Sequence, residues 1–187
     1  AEALGDHLLR CEILKSRGLV GYMVRDERGA LEAFESALEM AKEYGFSYEI
    51  AVNSHNIGDI QIRIGDYRAA FTALRFSHEV SRQNGFAKLE TLNIMLLGFI
   101  DAVTFGSAEG LAKIEQALEF AKDHGYTWDA IQASYFLGKA SLEQGDPKRA
   151  RDALREAIRM GQATESRLYV EDCQRLLEGI ESSEHSG

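Results

Sequence analysis

The chain has 187 residues, of which 45% are apolar and 27% charged, a composition typical of one folded domain or a short repeat array. Its formal net charge is −9 with His neutral. Because an acidic surface repels phosphate backbones and anionic lipids, nucleic acids and membranes are disfavoured as partners.

Neither a membrane-spanning segment nor an exported leader is predicted. The strongest apolar run, residues 94–100, ends at Asp101 and is far shorter than the roughly 20 residues that cross a bilayer. The first residues lack the basic and then apolar pattern of a leader. Cys11 and Cys173 lie near opposite ends of the chain, so we expect unpaired thiols, which favour a cytoplasmic location.

A repeat of 40 residues runs through the chain in four windows that align without a gap, 7–46, 47–86, 87–126 and 127–166. The twelfth position of every window is glycine, and small or apolar residues recur at the twenty-fourth, twenty-eighth and thirty-first positions. These residues are Gly18, Gly58, Gly98 and Gly138; Ala30, Ala70, Gly110 and Ala150; Phe34, Leu74, Ile114 and Leu154; and Ala37, Ser77, Ala117 and Ala157. Recurrence at a fixed step predicts four copies of one structural unit.

Each window predicts a helical hairpin, with a first helix over about positions 2–18 and a second over about positions 21–38. In the first three windows the second helix should end at a left-handed glycine, followed by an aromatic residue that folds back on the last turn. These pairs are Gly45 and Phe46, Gly85 and Phe86, and Gly125 and Tyr126. The small residues at positions 12 and 24 should let the two helices of a hairpin approach closely.

Short polar turns should connect the two helices of a hairpin. In the second window Asp66 follows Gly65 and can accept hydrogen bonds from the free amides of the next helix. Ser107 is placed to do the same in the third window, and Asp146 in the fourth. Pro147 then occupies the first helical position, where a missing amide hydrogen costs nothing.

A last amphipathic segment follows the repeats at residues 167–181, with an apolar face of Tyr169, Cys173, Leu176, Leu177 and Ile180. We expect a helix that caps the exposed end of the fourth hairpin. The small and polar residues 182–187 predict a disordered tail.

The spacing of these small and aromatic residues resembles the tetratricopeptide repeat, whose usual period is about 34 residues. The longer period is similar to repeats of bacterial maltose-activator-type and peptide-pheromone-responsive regulators and of animal spindle-orientation adaptors. The resemblance implies an all-α fold, a right-handed α-solenoid of four helix-turn-helix repeats plus the capping helix, in one domain over 1–181. Three features depart from the pattern: Arg17 in a slot that is apolar in the other windows, Lys113 in place of alanine, and a fourth window without the glycine-aromatic ending. We interpret the first and last departures as end effects.

No motif for catalysis or for a metal or cofactor is found. The histidines form no HExxH pair and the cysteines no CxxC pair. Gly138 and Lys139 superficially resemble a phosphate-binding loop, but Ala133 and Ala140 stand where the motif needs glycine and Ser or Thr. The sequence therefore predicts a protein that is not an enzyme.

In tetratricopeptide repeat proteins, which this chain resembles, ligands usually lie in a concave groove lined by the first helix of each hairpin. Carried over by position, the groove residues are Lys15, Leu19, Tyr22, His55, Asn56, Asp59, Arg63, Met95, Phe99, Tyr135 and Lys139. The alternative is that the apolar members pack against neighbouring repeats and that Asn56 hydrogen-bonds between repeats. A clamp for a C-terminal carboxylate is rejected, because leucines replace three of its five polar residues (Leu19, Leu92 and Leu96).

Two further parts of the surface each have two possible roles. Trp128, at the start of the fourth window, is either a packing anchor or a binding hot spot. Glu35, Glu39, Glu115 and Glu119 predict a solvated outer surface, with an acidic docking strip as the alternative.

The leading functional hypothesis is a scaffold module that binds another protein or a peptide in the concave groove. The resemblance places it within a larger bacterial signalling or regulatory protein. A second hypothesis is self-association, motivated by Arg17 and the atypical first repeat. A third is a small-molecule sensor pocket around His55, Phe99 and Tyr135.

Overall fold

The computed structural model describes residues 2–164 and 167–184, and all regular structure in them is helical. The helices are α1 (Glu2–Met23), α2 (Glu27–Tyr44), α3 (Ser47–Ile64), α4 (Tyr67–Asn84), α5 (Ala87–Phe105), α6 (Ala108–Asp123), α7 (Thr127–Glu143), α8 (Pro147–Ala163) and α9 (Arg167–Glu184). None of these helices is long and apolar enough to cross a membrane.

Consecutive helices pack against each other, as the repeat predicted. Within hairpins, α1 packs on α2, α3 packs on α4 and α7 packs on α8. Between successive hairpins, α2 packs on α3 and α6 packs on α7. The contacts divide the chain within α5, into an N-terminal unit that ends at Asn93 and a C-terminal unit that begins at Ile94. The all-helical repeat fold is thus confirmed.

The predicted caps begin the second helices. Asp66 accepts from the Ala69 amide at 2.9 Å, Ser107 from Gly110 at 3.1 Å and Asp146 from Arg149 at 3.0 Å. Asp26, which the sequence analysis did not single out, does the same for Gly29 at 3.0 Å. Each bond satisfies an amide that has no partner within its own helix.

The predicted glycine ends are also confirmed. Gly45 and Gly85 have φ of 73° and 70°, a left-handed conformation that glycine adopts without a steric penalty. Beyond Gly45, the Phe46 amide donates to the Ala41 carbonyl at 2.9 Å and turns the chain into the next hairpin.

The glycine at position 12 marks where the helices of a hairpin cross. A Cβ added at Gly58 would lie 2.5 Å from Leu74 Cγ, and one at Gly138 2.6 Å from Leu154 Cγ. In the third hairpin the approach involves backbone, since a Cβ at Gly98 would lie 2.7 Å from the Gly110 carbonyl oxygen. The recurring glycines therefore hold the hairpins at close packing distance.

Helix α9 covers the fourth hairpin. It packs on α8, and its Tyr169, Cys173 and Ile180 join the apolar core of the C-terminal unit. Its opposite side is exposed at Glu171, Arg175 and Glu178. The helix continues to Glu184, past residue 181 at which the capping helix was predicted to end, and the last residues of the predicted tail, 185–187, lie outside the described residues.

Candidate functional site

Two predicted groove residues of α1 pair with α3. The Lys15 ammonium lies 2.7 Å from a Glu49 carboxylate oxygen, and the Tyr22 hydroxyl donates to Asp59 at 2.9 Å. Glu49, Tyr22 and Asp59 are buried. Consequently these side chains join the first two hairpins to each other.

Arg63 of α3 adds further contacts between the first two hairpins. Its guanidinium donates to the Tyr22 carbonyl at 3.2 Å and to the Glu27 carboxylate at 2.9 Å, and lies 4.5 Å from the centre of the Tyr22 ring. A planar guanidinium suits both an aromatic face and a carboxylate. Arg63, Asp59 and Tyr22 are therefore brought together, as one part of the predicted groove.

His55 belongs to a buried chain of hydrogen bonds. His55 Nδ1 lies 3.0 Å from Asn93 Oδ1, Asn93 Nδ2 donates to Ser77 Oγ at 2.8 Å, and Ser77 donates to the Ala51 carbonyl at 2.7 Å. Since the Asn93 oxygen only accepts, Nδ1 of His55 carries the hydrogen. This series of hydrogen bonds connects α3, α4 and the start of α5, so His55 has a structural partner.

Met95 and Phe99 do not form the open apolar floor expected from the sequence. Both side chains are fully buried. The Phe99 ring packs 4.8 Å from the Phe136 ring, and the Lys139 ammonium lies 5.5 Å from its centre. Both side chains therefore pack internally in the structure, as in the alternative that the sequence analysis kept beside the groove.

The remaining predicted residues stay accessible. Leu19 is exposed, while Asn56, Tyr135 and Lys139 are partly buried. The predicted groove set thus ranges from fully buried residues, such as Phe99, to the exposed Leu19.

An aromatic cluster surrounds the accessible residues of α7. Trp128 is 42% exposed, and its ring lies 5.4 Å from that of Tyr169. Tyr135 lies 5.1 Å from both Tyr169 and Phe136, and Gln132 donates to the Tyr169 hydroxyl at 2.9 Å. Trp128 therefore packs on Tyr169 and is also partly exposed to solvent, which is compatible with an anchor and with a binding hot spot.

Trp128, Tyr135 and Lys139 lie at i, i+7 and i+11 and so share one side of α7. We call these three residues the α7 surface. Burial lowers the pKa of Lys139, partly offset by Glu143 and Asp172, which raise it. Lys139 is partly exposed, and its ammonium makes no ion pair with any residue that the structure describes.

A concave surface lies within the N-terminal unit, between α2 and α4. It has a volume of about 550 Å³. Its lining includes Glu35, Leu38, Lys42, Ile57, Thr72 and Phe76. The sequence analysis did not predict a groove here; the signal it missed is Phe76, an apolar residue at an exposed position of α4 that lines the surface.

The four glutamates of the predicted outer surface are exposed, as expected. Glu115 is bound by Arg149, with 2.6 Å between the charged atoms. No group of three or more His, Cys, Asp or Glu side chains in the described part of the chain is arranged to hold a metal ion.

The paired helices define a helical-repeat protein. The tetratricopeptide repeat family matches residues 131–163, which cover most of α7 and all of α8. Together with the helical hairpins, this match fits a tetratricopeptide-like repeat protein, a class that generally mediates protein–protein interaction. No curated protein sequence matches the chain.

Proposed function

We propose that this chain is a binding module for another protein or a peptide, and that the α7 surface contacts the ligand. The observation that carries this proposal is the combination at Trp128, Tyr135 and Lys139. Two aromatic rings are accessible there beside an ammonium without an ion-pair partner in the described chain.

This combination favours one ligand chemistry. Aromatic side chains supply apolar contact area at a low entropic cost, and tryptophan and tyrosine are enriched in binding hot spots. A carboxylate placed near Lys139 would restore the charge stabilisation that burial removes. The preferred ligand is therefore a segment with an apolar side chain for Trp128 and Tyr135 and an acidic residue for Lys139.

The wider setting follows from the repeat. The resemblance of its 40-residue period to repeats of bacterial regulators supports a place within a larger signalling or regulatory protein. The free thiols of Cys11 and Cys173 support a cytoplasmic location.

Binding can be tested with a peptide array in which apolar and acidic positions are varied, followed by fluorescence titration of the peptides that bind. Trp128→Ala should weaken all of them, whereas Lys139→Gln should remove the preference for an acidic position. Phe71→Ala is the matched control, since Phe71 is also 42% exposed but lies on α4. Equal binding by all three variants would reject the α7 surface as the site.

A further inference from the structure

The outer side of α1 carries an apolar stripe that stays exposed to solvent. It consists of Leu9, Ile13, Ser16, Val20 and Met23, called here the α1 stripe. Leu9, Ile13, Val20 and Met23 are 55%, 59%, 61% and 66% exposed. Isolated apolar residues are common on surfaces, but four on one face of one helix form a contiguous patch.

The equivalent positions of later hairpins are covered. One repeat later Ile13 and Val20 correspond to Asn53 and Ile60 of α3, and three repeats later to Ala133 and Ala140 of α7, all four of which are buried. Helix α2 packs on α3 and α6 on α7. The α1 stripe is therefore the surface on which these hairpins accept another helix.

The spacing of the stripe indicates which helix fits. Its residues follow one another at steps of four, three, four and three, the spacing of a coiled-coil seam. β-branched Ile13 and Val20 occupy one set of seam positions, and Leu9, Ser16 and Met23 occupy the other. In parallel coiled coils, β-branched residues at the first set with leucine at the second favour a two-stranded assembly, and Leu9 supplies the leucine here.

The flanking charges favour a second copy in the same orientation. Glu12 and Arg17 flank the stripe on opposite sides. In a parallel pair, Glu12 of one copy faces Arg17 of the other, and symmetry repeats the contact. An antiparallel pair would instead bring Arg10 and Arg17 of both copies to the same side, where like charges repel.

We propose that the chain forms a parallel homodimer through the α1 stripe, with two symmetric ion pairs between Glu12 and Arg17. This contact lies on α1 and does not involve the α7 surface. It is therefore independent of the ligand proposed there.

Sedimentation equilibrium from about 1 µM to about 1 mM covers the range in which such a short contact dissociates. The wild type should approach twice the monomer mass, and Ile13→Asp should weaken dimerisation by at least about tenfold. Phe71→Asp places the same charge on an exposed apolar position of α4 and should leave the dimer intact. A wild type that stays monomeric throughout overturns the proposal, and the stripe then belongs to a helix of some other protein segment.

Exchanging the charges tests the orientation. Glu12→Arg and Arg17→Glu each place like charges opposite one another in a parallel dimer, so each should weaken it, and the double variant should restore it. If the double variant stays as weak as the singles, the parallel arrangement is wrong.

Ser16→Cys offers a covalent test of the same register. Ser16 of one copy faces Ser16 of the other across a parallel dimer axis, so mild oxidation should crosslink the variant as a dimer. Cys11 and Cys173 are fully buried and should not compete. A dimer that forms without this crosslink contradicts the register.

Discussion

Gly98 lies at a helix crossing of the C-terminal unit where the nearest atom is backbone. A Cβ there would meet the Gly110 carbonyl oxygen at 2.7 Å and Lys113 Cβ at 2.8 Å, and backbone cannot move aside as a side-chain tip can. Gly98→Ala should therefore lower the free energy of unfolding by about 1–3 kcal/mol, despite the better helix propensity of alanine. Chemical denaturation monitored by circular dichroism measures this loss.

Gly179 of α9 provides the control for that substitution. A Cβ at Gly179 has no heavy atom within 4 Å. Gly179→Ala should therefore leave stability unchanged or raise it by up to about 1 kcal/mol. A Gly98→Ala variant that is also stabilised would show that the crossing is not tight.

The two thiols should be unreactive while the chain is folded. Burial raises the pKa of Cys11 to about 11 and that of Cys173 to about 12, with nearby acidic groups adding to both shifts. Since the thiolate is the reactive form, a thiol reagent at pH 8 should label neither residue until denaturant is added. Rapid labelling of the native chain would contradict the burial of these residues.

The same shifts set a dependence of stability on pH. The folded-state pKa of each thiol lies above the ordinary value of 9.0, so the unfolded chain ionises first as pH rises. The stability that the two protonated thiols contribute to the folded chain is fully present below pH 9 and is lost progressively towards pH 11 to 12. Cys173→Ala should flatten this decline in denaturation curves collected between about pH 8 and pH 10.5.

At the scale of elements, the joint between α1 and α3 depends on a buried polar contact. Tyr22 donates to Asp59 at 2.9 Å, and both residues are buried. Tyr22→Phe removes this donor, so it should lower the free energy of unfolding by about 1–3 kcal/mol. Tyr48→Phe removes the hydroxyl of an exposed tyrosine on α3 and should have little effect.

The helices could be predicted from the sequence because their signals are local. Asp66, Ser107 and Asp146 begin helices, and Gly45 and Gly85 end them, through contacts with residues a few positions away. The 40-residue period then repeats the same boundaries along the chain. The start of α1 at Glu2 has no such signal, and the helix begins six residues earlier than predicted.

The accessibility of the candidate site could not be predicted in the same way. Asp59 and Tyr22 are 37 residues apart, and His55 and Asn93 are 38 apart. Phe99 is covered by Phe136 and Lys139 of a different hairpin. Position within a repeat identifies the face of a helix, whereas the neighbouring hairpin decides which residues on that face remain exposed.

At the scale of the whole molecule, the packing is largely between successive helices, so its ends should be less stable than its middle. Helix α1 has an apolar outer side and α9 a polar one. The two terminal helices should thus respond differently to protein concentration if the α1 stripe binds a second copy.

Hydrogen exchange followed by mass spectrometry can measure this difference. In dilute solution, amides of α1 and α9 should exchange earlier than those of α3 and α7, because each terminal helix is packed from one side. Raising the concentration should slow exchange in α1 and leave α9 unchanged, and Ile13→Asp should abolish the slowing. Protection that increased equally in α9 would indicate a head-to-tail contact instead, since a parallel α1 pair buries no residue of α9.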